Sequence, residues 1–248
     1  MHSVDSFTSL AKKDMMRRSL FFALLISLFA CSKNEAQTVL IETPAAENNL
    51  RYLALGDSYT IGTAIGPENA YPQIFADSFR LSTHIDTLAV QVIAQNGWTT
   101  RDLQNGINDK QTDSNYSLVS ILIGVNNQYQ RRSLEEYKVE FRQLLLRAIA
   151  FADGDSTRVL VISIPDWGVS PAGAGSRPEI AQQIDAFNAA QNQIAVEAGV
   201  DFIDITTLSR TALSDPDLIA SDGLHFSAKM HKQWMLLLYP KFAERLNF

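Results

Sequence analysis

The chain has 248 residues, 46% hydrophobic and 19% charged, which suits one α/β domain or two small ones and excludes a disordered chain. A formal charge of −6, with basic residues scattered, excludes the electrostatic footprint of a nucleic-acid binder. The single cysteine, Cys31, excludes an intrachain disulfide.

In chain order, Arg17 and Arg18 precede an apolar run over residues 20–30, and Cys31 follows at once. A basic start, a short apolar stretch and a small residue before a cleavage point read as a secretory signal. The run falls short of the ~20 apolar residues that span a bilayer. Leu28-Phe29-Ala30-Cys31 resembles a bacterial lipobox, which implies lipidation of Cys31 as the mature N-terminus. Phe29 is bulkier than the residue usual there, and an ordinary signal peptide with Cys31 incidental is the alternative. Met15 or Met16 would give a more compact signal than Met1. The expected organisation is a signal peptide over 1–30, a lipidated cysteine and flexible tether over 31–49, and one folded domain over 50–248. Losing residues 1–30 removes four basic and two acidic residues, taking the charge from −6 to −8. The tether would reach on the order of 20–25 Å from a membrane, and the expected location is the bacterial cell envelope, on its periplasmic or its outer face.

From Leu50 onward, five runs rich in Val, Ile and Leu end at Leu55, Ala94, Ile123, Ile164 and Ile205. Their continuous hydrophobicity predicts parallel strands buried on both faces. Helices are predicted between them over 70–81, 99–107, 133–152 and 178–199, and a last one after an N-cap at Ser227, kinked or ended early by Pro240. The β-α alternation predicts an α/β/α sandwich, three layers with a central parallel sheet of about five strands. Ligands in such sheets bind at the carboxyl ends of the strands, which is the test for each motif.

Gly56-Asp57-Ser58 follows the first strand, where a nucleophile at a strand-to-helix turn would sit, although a serine there is often only an N-cap. Asp222-Gly-Leu-His225 precedes the last helix. A reactive serine needs a base, and the base needs a partner that fixes its tautomer; three residues of separation can put the carboxylate on imidazole Nδ1. Of the other histidines, His2 lies in the segment to be removed, while His84 and His231 are expected at the surface. Gly97 after the second strand and Asn126 after the third are candidate oxyanion donors, although alone they read equally as a turn and a helix entry. After the fourth strand, residues 164–176 form a long loop in which Trp167 could wall an acyl or glycosyl group or simply anchor packing. Asp166 could hydrogen-bond the active-site loops, and Asp57, Asp166 and Trp167 are possible substrate contacts.

The combination of Ser58, Gly97, Asn126 and the Asp222–His225 pair, each at a strand end or in the last loop, resembles the SGNH/GDSL hydrolase family from about Leu50 to the C-terminus. The resemblance implies a flavodoxin-like fold and a carboxylic ester hydrolase working through an acyl-enzyme. Ser58 is then the nucleophile, Asp222 and His225 complete the triad, and Ser58 N–H, Gly97 N–H and the Asn126 amide form the oxyanion hole. One departure is visible: the family's GxND motif has Asn127 in place of its aspartate. The absence of GxSxG argues against the ordinary α/β-hydrolase fold. An acyltransferase using the same triad and a tethered binding module are the alternatives. No His/Asp/Glu cluster has metal-ligand spacing and no phosphate or dinucleotide fingerprint occurs, so no metal and no cofactor is implied. The expected partners are a small-molecule, glycan or lipid ester substrate and a membrane held through Cys31.

Overall fold

The computed structural model describes residues 50–83, 87–110 and 113–248. The signal, Cys31 and tether expected over residues 1–49 lie outside the described residues, as does His84.

The strands are β1 (Leu50–Gly56), β2 (Leu88–Ala94), β3 (Leu118–Leu122), β4 (Val159–Ile162) and β5 (Asp201–Ile203). All pair in parallel, in the order β2-β1-β3-β4-β5. The chain therefore winds outward from β1 to β2, then doubles back past β1 to β3. At such a reversal the loops leaving the two central strands diverge and open a crevice at their carboxyl ends. Register keeps the crevice compact, because Gly56 at the end of β1 pairs level with Ala94 of β2 and Leu122 of β3.

β3 and β4 are buried at every position, as continuous apolar runs predict. The same expectation fails at the sheet's edges. In β2 only Leu88 and Ile93 are buried, and in β5 only Ile203, because an edge strand is covered along one side alone.

Among the described residues, five long helices complete the layers: α2 (Tyr71–Thr83), α3 (Thr100–Asp109), α5 (Leu134–Phe151), α6 (Arg177–Glu197) and α8 (Ala228–Arg245). Between them stand the single turns α1 (Ser58–Ile61), α4 (Val125–Tyr129) and α7 (Thr206–Ser209). α2 packs against α8, and α3, α5 and α6 pack in succession, so that the helices form two layers about the sheet. On the first side Tyr52, Phe75 and Phe242 meet edge to face, with centroids 4.8–5.8 Å apart. On the second, Tyr137 of α5 packs on Phe187 of α6 at 4.6 Å.

Ser227 caps α8 through Met230 N–H, as expected, but Pro240 does not end the helix. Pro240 lies on the exposed face, where water can take the carbonyl that proline leaves unpaired. His231 is also placed differently from its expectation. It is buried, its Nδ1 accepts Tyr71 N–H at 3.2 Å, and burial holds its pKa down near 3. A neutral imidazole thereby caps α2, and this buried histidine stands apart from the site's lining.

Candidate active site

At the end of β1, Gly56 is required by crowding. A Cβ there would lie 2.0 Å from Thr60 Oγ1 and 2.6 Å from the Leu122 carbonyl. Asp57 then caps α1, its Oδ1 accepting Tyr59 N–H at 3.1 Å, and Ser58 is the first helical residue. Asp57 is fully buried and its Oδ2 has no hydrogen-bond partner among the described residues, so desolvation lifts its pKa to about 7 against the pull of the Tyr59 N–H. The ring of Tyr59 meets that of His225 edge-on at 5.6 Å, bracing the imidazole from the side of the nucleophile.

Asp222 and His225 share one tight loop. An isolated Ile219–Phe226 bridge closes it, with Ala220 N–H donating to the His225 carbonyl at 2.8 Å and Gly223 at φ +71° making the turn. Asp222 Oδ1 accepts from Leu224 N–H and His225 N–H, each at 3.0 Å, while Oδ2 meets His225 Nδ1 at 2.6 Å. Partial burial pushes the Asp222 carboxyl up, but the His225 ring and the two backbone donors outweigh it and hold it below its ordinary value. An ionised partner keeps the proton on Nδ1 and leaves the Nε2 lone pair free.

Gly97 sits at φ +78° in the turn after β2, a conformation that excludes most side chains. Neither Gly97 N–H nor Ser58 N–H donates to any other group among the described residues. Asn126, on the first turn of α4, donates Nδ2 to the Trp98 carbonyl at 2.9 Å, which fixes its amide and ties it to the Gly97 turn. The second Nδ2 hydrogen remains available.

The departure at Asn127 has a structural reason. Its Oδ1 accepts Thr100 N–H at 3.0 Å, so its Nδ2 must be the atom 2.7 Å from Thr100 Oγ1. The Thr100 hydroxyl spends its own proton on Glu140 Oε2 at 2.5 Å. Its oxygen therefore needs a donor, which an asparagine supplies and an ionised aspartate would not.

Ser58, Gly97, Asn126, Trp167 and His225 line one cavity of about 210 Å³, with Asp222 behind His225. Asp57 and Asp166 do not line it. Asp166 is buried, held by Arg210 Nε at 2.9 Å and by Gly168 N–H at 2.9 Å, and so anchors the loop that carries Trp167. That loop forms 3₁₀ turns over Trp167–Val169 and Pro171–Ser176, and Ala172 N–H bonds the Gly223 carbonyl of the acid–base loop at 3.0 Å. Trp167 donates Nε1 to buried Gln128 at 2.7 Å, which makes it a fixed wall.

The lining also includes Tyr59, Asn96, Val125, Tyr129 and Leu224, none of which was singled out from sequence. Tyr129 had a usable signal: it follows Asn126 by three positions on one helix, which places both on the same face. Asn96 and Leu224 flank residues already identified.

The sequence matches the model of the GDSL-like lipase/acylhydrolase family over residues 54–233. No curated protein sequence matches it. Among solved structures it is similar to a lipase/acylhydrolase from Enterococcus faecalis, with 21% identity and a TM-score of 0.59 over 79% of this chain and 96% of that one. An extracellular lipase from Streptomyces rimosus gives 19% identity and a TM-score of 0.59 over 79% and 99%. An acetylxylan esterase from Geobacillus stearothermophilus gives 21% and 0.57 over 81% and 95%. At these identities the likeness carries the fold, whereas the family match spans most of the domain. The chain belongs to the GDSL-like lipase/acylhydrolase family of ester hydrolases.

Proposed function

We propose that the protein hydrolyses short-acyl carboxylic esters with Ser58 as nucleophile, His225 as base and Asp222 as its support. The observation that carries this reading is the meeting of five separate chain segments in one cavity, with two backbone N–H groups and an imidazole nitrogen that have no partner among the described residues. Ser58 Oγ bonds the ester carbonyl carbon as its proton passes to His225 Nε2. Ser58 N–H, Gly97 N–H and Asn126 Nδ2 stabilise the oxyanion. The C–O bond to the alcohol then breaks and His225 returns the proton to the leaving oxygen. Water repeats the sequence on the acyl-enzyme, releasing acid and freeing Ser58. Asp222, held below its ordinary value, stays ionised wherever the imidazole is neutral. The cavity, at about 210 Å³, is smaller than the roughly 300–1,000 Å³ of drug-sized sites, which favours short acyl groups.

The test is turnover of 4-nitrophenyl esters from acetyl to octanoyl, beside Ser58→Ala. Activity that falls with chain length and is lost in the variant is expected; equal turnover by the variant would refute the mechanism.

We propose further that the domain is tethered to the cell envelope through a lipid on Cys31. The basic pair, apolar run and cysteine support this, and no described helix is long and apolar enough to cross a membrane itself. Cys31→Ser should move the protein from the membrane fraction to the soluble one; unchanged partitioning would refute the anchor.

A further inference from the structure

Adjoining the catalytic cavity at Tyr129 and Trp167 lies a second and larger cavity of about 710 Å³. The two share both aromatic residues, so a ligand in one abuts a ligand in the other. The wall between them is held still, because Trp167 donates to Gln128 Oε1 at 2.7 Å and Gln128 Nε2 donates to Gln183 Oε1 at 2.7 Å.

The charge of this second cavity is unusual for an acidic protein. Arg131 and Arg132 line it, both exposed, and neither side chain has an ion pair or hydrogen bond among the described residues. By contrast Arg101, Arg142, Arg210 and Arg245 each meet a carboxylate. Glu179, the one acidic residue among the described lining residues, is engaged by Gln183 Nε2 at 3.1 Å. Backbone bonds hold the arginines in place: Arg131 N–H to Gln128 at 2.9 Å and Arg132 N–H to Asn127 at 2.8 Å. Arg131 is kept at φ +57°, a conformation that a bulky residue adopts at a cost.

We propose that this cavity binds the alcohol half of the substrate, and that this half is a saccharide bearing a carboxylate. The inference rests on the ester-hydrolase reading above and adds the substrate class. A guanidinium matches a carboxylate with two parallel hydrogen bonds. Tyr129, 61% exposed at the junction, offers a ring face for the C–H side of a sugar. Gln183 keeps a donor and an acceptor for hydroxyl groups. An acyl ester on such a sugar would stand at Ser58 while its carboxylate met the arginines.

The test is calorimetric titration of Ser58→Ala with trigalacturonate and, separately, with xylotriose as a neutral counterpart. The carboxylated sugar is expected to bind about tenfold tighter or more, an advantage that shrinks as salt rises. Arg131→Ala combined with Arg132→Ala should abolish that advantage, and Arg132→Glu, which leaves the left-handed residue in place, should do the same. Equal affinity for the two sugars, no binding of either, or an advantage that survives both variants overturns the proposal. Tighter binding of glycerol phosphate than of trigalacturonate overturns the saccharide assignment. Binding is read without turnover, so a failure of this test and a failure of the 4-nitrophenyl assay are separate results.

Discussion

Asp57 offers a stability test that is independent of catalysis. Its carboxyl is buried with one oxygen unpartnered among the described residues, and its pKa rises from 3.8 to about 7 on folding. Between these values the unfolded chain has released the proton while the folded protein still holds it, so stability falls as pH rises across that window. Below 3.8 the two states bind the proton alike; above 7 the full cost is in force. Roughly three pK units correspond to a ceiling of about 4 kcal/mol, which relaxation or entry of water lowers. Asp57→Asn removes this titration and keeps an oxygen to accept Tyr59 N–H. The new amide hydrogens bring a cost of about 1–3 kcal/mol, but that cost does not change with pH. Thermal melts of both proteins at pH 4.5 and pH 8 therefore isolate the carboxyl. The variant should gain on the parent by several degrees between the two pH values, at about 2–4 °C per kcal/mol for a domain of this size. A gap between variant and parent that is the same at both pH values would refute the reasoning.

Two further substitutions test the neighbourhood of α4. Asn126→Ala should stay folded yet lose about 10²–10³ in turnover of 4-nitrophenyl acetate, since it deletes one oxyanion donor; near-normal turnover would remove Asn126 from the mechanism. Asn127→Asp should cost about 1–3 kcal/mol, because it withdraws the donor to Thr100 Oγ1 and sets a second carboxylate near Glu140. That deficit, read by denaturant melts, should shrink as pH falls and the new carboxyl takes up a proton; a pH-independent deficit would count against it.

The sheet was legible because parallel strands are written as continuous apolar runs, and the chemistry because GDS and DxxH have short, local spacings. What stayed hidden depends on contacts between distant segments. His231 has the sequence setting of a surface residue, and only the docking of α2 on α8 buries it. Asp57 and Asp166 stand beside Ser58 and Trp167, and sequence adjacency does not tell a side chain that faces the cavity from one that anchors the loop beneath it. Whether a helix continues past a proline such as Pro240 depends on which face it occupies, and Asn127 is intelligible only through Glu140, thirteen positions on, which claims the Thr100 proton.

The loop that carries both residues makes the Asp222–His225 pair a local object. Three positions and two backbone bonds assemble it, so it needs little of the sheet to form. Ser58, the proposed nucleophile, is its opposite: it stands at the very start of the domain and shares a cavity with His225 only through the tertiary fold. A ribosome emitting this chain exposes Ser58 long before His225, so the growing polypeptide carries an inert hydroxyl throughout its synthesis. On the proposed mechanism, chemistry begins only once these two distant segments have met, which makes activity a direct reporter of completed folding.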